Sequence, residues 1–270
     1  MSPQWDRDAL LAHPAFESLW PVLRLCPADH FPTPEDLTGL AEVRRLKSGG
    51  GAWLRFAGAS DPAPRGFDMQ YEVRAYRDGQ VATRPGSFHD LFNALAWLAF
   101  PRTKALLNQR HYEHMGEPGS LSRGTARDVL TLFDESGMIV ACDEPELAEL
   151  LRGFRWKALF WSRRAAVMRS MRFLSFGHAI QEKALRPYKA LTAKALIVDV
   201  SRDFFAMTLD AQLAEADARA ALRLSAPDAL AATHILSPLP ILGIPGWDAA
   251  SADASFYDDV SVFRPGRRRK

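Results

Sequence analysis

Residues able to do chemistry recur at helical spacing in one stretch, "SFHDLFNALAWLAFPRTKALLNQRHYEH", residues 87–114. His89 and Asn93 are one turn apart, so their side chains share a helix face. An imidazole supplies a neutral metal ligand or a general base near pH 7, and an amide beside it can hold an oxygen. Beyond Pro101, Lys104, Asn108 and His111 follow i, i+4, i+7 spacing along a second helical piece. A lysine, an amide and an imidazole on one face suit a phosphate or a carboxylate. His111 and His114 alone are too few for zinc, which needs further ligands.

Each of these residues also has a structural reading. Ser87-x-x-Asp90 fits a capping box, worth ~1 kcal/mol, in which the two residues satisfy each other's amides. His89 and Asn93 can form a local hydrogen-bonded pair, and Lys104, Asn108 and His111 an ordinary solvated face. In "RDVLTLFDESG", Arg127 and Asp128 precede an expected strand, while Asp134 and Glu135 fall in its turn, where acids are common for backbone reasons. In "FYDDVSVFRP", Asp258 and Asp259 lie among apolar residues and need a cation, a metal or hydrogen bonds; Arg264 is a candidate partner.

The remaining composition excludes more than it assigns. With 270 residues, 47% hydrophobic and 24% charged, the chain is expected to be a soluble globular protein with a sizeable core. A formal charge of +2 gives no overall field for nucleic acid or acidic lipid, although "RPGRRRK" ends the chain on four cations. Cys26 and Cys142 show no metal or redox spacing, no leader pattern opens the chain, and no apolar run is long enough to span a membrane. A cytoplasmic protein without a membrane partner is expected. P-loop, dinucleotide-fold, nucleophile-elbow and H-E-x-x-H motifs are all missing.

The elements that must position the candidates are uneven in clarity. Residues 1–50 suggest a helical N-terminal region interrupted by Pro14 and Pro21, with Thr33 or Asp36 opening a short helix. "AWLRFAG" suggests a strand; "MQYEVRAY", "RDG" and "QVATR" suggest a hairpin. "DVLTLFDESGMIVACD" suggests strand–turn–strand. Asp143, Pro145 and Glu146 open a helical region expected to reach about Leu185, with breaks at Gly153 or Gly177. "TAKALIVDV" is a strand, "DAQLAEADARAALRL" a helix, and the chain from "SPLPILGIPGW" onward is expected to run extended over the surface. The expectation is an α+β fold: one helix-rich domain over 1–270 with small antiparallel hairpins, an extended Pro/Gly-rich C-terminal segment and a disordered basic tail at 265–270.

Three blocks, "HDLFNALAWLAFPRTKALLN", "RDVLTLFDESG" and "PLPILGIPGW…FYDDVSVFRP", resemble the bacterial domain of unknown function 3025 family over nearly the whole chain. The resemblance implies a bacterial protein of single-domain scale and brings no catalytic residue with it. A second likeness concerns mechanism. A hairpin "YEVRAYRDGQVATR", a histidine-led helix and N-x-x-H are similar to the order of parts in HNH-type homing nucleases. That order implies a histidine that activates water and one metal that steadies the phosphate. Here Asn108 and His111 are separated where those enzymes have them adjacent, and their Asp-Gly is absent.

Two functions follow. One is a metal-assisted hydrolase of a phosphate ester, nucleic acid or another phosphorylated ligand. In it His89, Lys104, His111 and Arg127 would be catalytic, and Asp90, Asn93 and Asp128 would hold one divalent metal. Asn108, Asp258 and Asp259 are further pocket candidates. The other is a non-enzymatic binding or interaction protein whose polar cluster is structural. Convergence of these residues on one open pocket separates the two.

Overall fold

The computed structural model describes residues 4–58, 67–115, 122–226, 229 and 235–266. Asp6 caps α1 (Arg7–Ala12), and Pro14 opens a 3-10 turn that runs into α2 (Trp20–Leu23). Thr33 opens α3 (Pro34–Val43), one of the two starts expected there, and Thr33 and Asp36 satisfy each other's amides in a capping box.

The region around residue 75 departs from expectation. β1 (Arg55–Ala57) pairs in parallel with β2 (Gln80–Ala82), and α4 (Tyr71–Asp78) lies between them. The hairpin is therefore absent, and the histidine-led-helix likeness loses the sheet on which it depends. Gly79 explains the error: at φ 66° it ends α4, its amide bonding to the Ala75 and Arg74 carbonyls. An Asp-Gly pair serves a helix end as readily as a two-residue turn.

Ser87 caps α5 (Phe88–Ala99), its hydroxyl accepting from the Asp90 amide at 3.2 Å. Asp90 does not complete the box, because its carboxylate turns to Arg84 instead. Pro101 starts α6 (Pro101–Met115) directly after α5. α7 (Ser122–Ser136) occupies the place of the expected strand and runs straight into β3 (Gly137–Cys142). Its buried residues Ala126, Val129, Leu130 and Phe133 form a helical stripe. Gly137 has to be glycine, since a Cβ there would strike the Phe133 carbonyl.

The expected long helix is four pieces: α8 (Pro145–Arg152), a π-helical turn at Ala158–Ser162, α9 (Arg164–Ser170) and α10 (His178–Ala184). β4 (Met171–Ser175) interrupts it, buried on both faces and so without the alternation that betrays a strand. Glu144, not Asp143, stands at the α8 N-cap, and Asp143 pairs with Arg202. β5 (Thr192–Asp199) and α11 (Leu209–Ser225) fall where expected, and β6 (Ser237–Pro240) closes the sheet.

The sheet order is β4-β3-β5-β6, with β3 and β5 parallel and both outer pairs antiparallel. Pro238 and Pro240 cannot donate ladder bonds, which suits their place on an edge strand. One sheet face, with Ile139, Leu174 and Leu196, packs on α7 and α11; the other, with Val140, Phe173 and Ile197, packs on α8 and the C-terminal segment. That segment buries Leu242, Ile244, Tyr257 and Phe263, so it is part of the core and not a surface strap. A second helical core gathers the N-terminal helices around α5. The fold is α+β.

Candidate functional site

Five helices close on one polar cavity of about 570 Å³. α4 brings Tyr71 and Glu72, α5 His89, Asp90 and Asn93, α6 His111, α7 Arg127, Asp134 and Glu135, and α10 His178. Arg84, just before α5, completes one wall.

A buried ion pair organises the floor. Lys104 Nζ donates to Asp134 Oδ1 at 2.6 Å and to Asn93 Oδ1 at 2.8 Å. Asn93 Nδ2 donates to the Tyr71 hydroxyl at 2.9 Å, so both ends of this amide are occupied. Asn108, equally buried, donates to Glu72 Oε2 at 2.8 Å and to the Glu72 carbonyl at 3.0 Å. Asp90 takes three bonds from Arg84: from its amide at 2.7 Å, Nε at 2.8 Å and a terminal guanidinium nitrogen at 2.9 Å.

Two imidazoles meet edge to face on the opposite wall, the His89 and His178 ring centroids 4.4 Å apart. His89 Nδ1 is 3.0 Å from Glu182 Oε2. His178 Nε2 is 3.5 Å from Glu135 Oε1, and its Nδ1 is 3.8 Å from Asp134 Oδ2. One potential ligand atom from each of His89, Glu135 and His178 lies within 4.8 Å of the others.

Burial sets the electrostatics. It pushes the Glu72 carboxyl up to about 7, the Asp134 charge adding to the effect while the Asn108 bond opposes it. It pushes His111 down to about 4, with Lys104 and Arg127 contributing and Asp134 opposing. Burial also raises the Tyr71 phenol to about 12. Asp134 shows the opposite balance: burial pushes it up, but the Lys104 ammonium and His178 outweigh that and hold it below the usual carboxylate range. Burial likewise opposes the charge on Lys104, and Asp134 outweighs it, holding the ammonium above its usual value.

Of the residues picked out by type and spacing, His89, Asp90, Asn93, His111 and Arg127 line the cavity. Lys104 and Asn108 lie behind it, 3% and 2% exposed, each fixed to a lining residue. His89 and Asn93 do not form the expected pair; their partners are Glu182 and Tyr71 with Lys104. Asp128 is exposed and outside the lining. Asp258 and Asp259 are likewise elsewhere, held by Lys157 and Lys189 at 2.7 Å each, while Arg264 Nε donates to the Ser261 carbonyl. Asp90 and Asn93, the metal ligands expected from spacing, are thus engaged by Arg84, Lys104 and Tyr71. Among the described residues, His89, Glu135 and His178 have ligand atoms close enough to share an ion. Spacing missed Glu72 because α4 looked like a strand, and Asp134 and Glu135 because acids before a glycine look like a turn. His178 offered one signal: a histidine directly after Phe-Gly, at the start of an amphipathic helix.

No curated protein and no solved structure matches the chain. The model of the family described as protein of unknown function (DUF3025) matches residues 54–267, which span α4 to α11 and every side chain of the cavity, and the chain belongs to that family.

Proposed function

We propose that this protein is a metal-assisted hydrolase of a phosphate ester, with nucleic acid among the substrates to be tested. One observation carries the reading: His89, His178, His111, Glu72, Glu135 and Arg127 arrive from five helices and face one open cavity. A divalent cation bound there would polarise the phosphoryl oxygen and favour ionisation of an attacking water. Arg127 is exposed at the cavity and supplies the charge that attracts an anionic oxygen. Lys104 cannot do so, because its ammonium is already shared between Asp134 and Asn93; it positions those two side chains.

Glu72 is the strongest proton acceptor in this scheme. Its Oε2 is engaged by Asn108, and Oε1 has no hydrogen-bond partner among the described residues. A carboxyl near 7 is suited to moving a proton at neutral pH, whereas His111, near 4, stays neutral and is a weaker base. No helix among the described residues is long and apolar enough to cross a membrane, and with two buried free thiols the reading is completed by a bacterial cytoplasmic setting.

The test is metal-dependent hydrolysis of bis-p-nitrophenyl phosphate, p-nitrophenyl phosphate, single-stranded DNA and RNA by wild type, Glu72→Gln and His111→Ala. Turnover that needs a divalent ion and falls about 100-fold or more in Glu72→Gln supports the proposal. Absence of turnover on all four probes, with metal supplied, favours the binding-protein reading instead.

A further inference from the structure

We propose that His89, Glu135 and His178 form a binding site for one divalent transition-metal ion, with Glu182 and Asp134 as the carboxylates behind the two histidines. Geometry comes first. Zinc bonds nitrogen and carboxylate oxygen at about 2.0–2.2 Å, so neighbouring ligand atoms on one tetrahedral ion lie roughly 3.4 Å apart. His178 Nε2 and Glu135 Oε1 are already 3.5 Å apart, and the whole set lies within 4.8 Å. Small side-chain rotations close the rest.

His178 supplies an independent indication. The residue is 6% exposed, yet its buried Nδ1 has no hydrogen-bond partner. A buried polar atom left unpaired costs about 1–3 kcal/mol, so its position needs a reason. Asp134 Oδ2 lies 3.8 Å from that Nδ1, and Glu182 Oε2 lies 3.0 Å from Nδ1 of His89. Metal-bound histidines commonly donate their outer N–H to a carboxylate, which fixes the tautomer and leaves the other nitrogen for the ion. Both histidines have such a carboxylate. A slight approach of His178 toward Asp134 on binding would satisfy the orphaned atom.

Charge points the same way. Arg84 neutralises Asp90 and Lys104 neutralises Asp134, leaving Glu135 and Glu72 in the lining with Arg127 as the remaining cation. Of these, Glu135 lies against the two imidazoles, where its carboxylate partly offsets the charge of a bound dication. Backbone contact holds the ligands in register: a Cβ on Gly177 would strike the Gly137 and Ser136 amides and the Glu135 carbonyl carbon. The chain entering His178 is therefore pressed against the chain leaving Glu135. Two imidazoles and one carboxylate select zinc, manganese, iron or cobalt over magnesium or calcium, which prefer oxygen-only sets.

The assignment supplies the cation that the hydrolase reading requires, but it depends on geometry alone, so binding and turnover can fail separately. The experiment is calorimetric titration of the metal-stripped full-length protein with Zn²⁺, Mn²⁺ and Mg²⁺, with metal analysis of the dialysed product. One Zn²⁺ or Mn²⁺ per chain is expected, with Mg²⁺ weaker. His178→Ala and the near-isosteric Glu135→Gln should each weaken binding about 100-fold or more, and Glu182→Gln about 10-fold or more, with circular dichroism confirming that Glu135→Gln remains folded. Asp258→Asn, on the exposed pair with Lys157, should leave affinity unchanged. Binding below one equivalent, preference for Mg²⁺, or full affinity in a folded Glu135→Gln would overturn the site, whatever the hydrolysis assays show.

Discussion

Lys104 Nζ sits 2.6 Å from Asp134 Oδ1, and the lysine side chain is only 3% exposed. This pair ties α6 to α7 and sets the Asp134 oxygens beside His178. Removing one member leaves the other charged and buried, which costs about 3–5 kcal/mol. Lys104→Met should therefore lose stability on that scale in urea unfolding. Lys104→Met with Asp134→Leu should lose clearly less than the two single changes together. A single-variant cost under about 1 kcal/mol would show that the pair does not hold the helices together.

Glu72 and His111 give opposite pH dependences. The Glu72 carboxyl is raised to about 7, so the folded state binds its proton more tightly than the unfolded chain does. Its contribution is complete below about 4.5 and is lost as pH rises through 7. His111 is lowered to about 4, so its contribution is present above about 6.5 and is lost as pH falls through 4. Each is worth up to about 3 kcal/mol, at 1.36 kcal/mol per unit, and the two largely cancel in wild type. Relative to wild type, Glu72→Gln should gain stability as pH rises from 4.5 to 7, and His111→Ala should lose it. The groups facing them (Asp134, Lys104 and His178 around Glu72; Asp134, Lys104, Arg127 and His114 around His111) remain in both variants. Parallel stability curves for variants and wild type would refute both shifts.

Gly177 should tolerate no side chain. The nearest atoms to an added Cβ are backbone, two amide nitrogens and a carbonyl carbon, and cannot swing aside. Gly177→Ala is expected to cost about 3 kcal/mol or more, at the upper end of overpacking effects, because β3 and α10 must separate. The same displacement moves His178 away from Glu135, so metal affinity should fall in whatever fraction remains folded. A thermal midpoint within about 1 °C of wild type would contradict the close approach seen here.

Local signals in the sequence were reliable where one residue type had one job. Thr33 with Asp36, Ser87, and Pro101 between two apolar stripes all act as helix punctuation, and each does so in the structure. Gly79, directly after Asp78, and Gly137, after the run Asp134-Glu135-Ser136, are ambiguous, because a polar, acidic run leading into a glycine serves both a turn and a helix end. That ambiguity hid α4 and α7, and with them Glu72, Asp134 and Glu135. β4 was hidden for another reason: both its faces are buried, so periodicity vanished. The cavity itself joins α4 to α10 across about a hundred residues, and no spacing rule reports a tertiary contact. What type and spacing find, His89, Asp90, Asn93, His111 and the buried Lys104 and Asn108, lies on α5 and α6, two helices that follow one another directly in sequence, with Arg127 on α7 the exception.

Asp217 should prove as costly to remove as any cavity residue, although it lies outside the cavity lining. Since α5 ends at Ala99 and α6 begins at Pro101, there is no room for a local side-chain cap on α6. Asp217, reaching across from α11, accepts from the Thr103 amide at 2.8 Å and the Arg102 amide at 2.9 Å, while the Thr103 hydroxyl donates to its carbonyl at 3.1 Å. Burial raises its pKa, and the bonds from Thr103 and Arg102 oppose the rise without reversing it. Two unsatisfied first-turn amides and a lost helix-dipole partner should make Asp217→Ala cost about 2–4 kcal/mol. Asp217→Asn keeps an acceptor oxygen for one amide and should recover about half of that. Because Lys104 follows Thr103 directly, the alanine variant should also loosen the Lys104–Asp134 pair and lower metal affinity, an effect absent from Asp258→Asn. Equal stability of Asp217→Ala and wild type in urea would show that the start of α6 is held by packing alone.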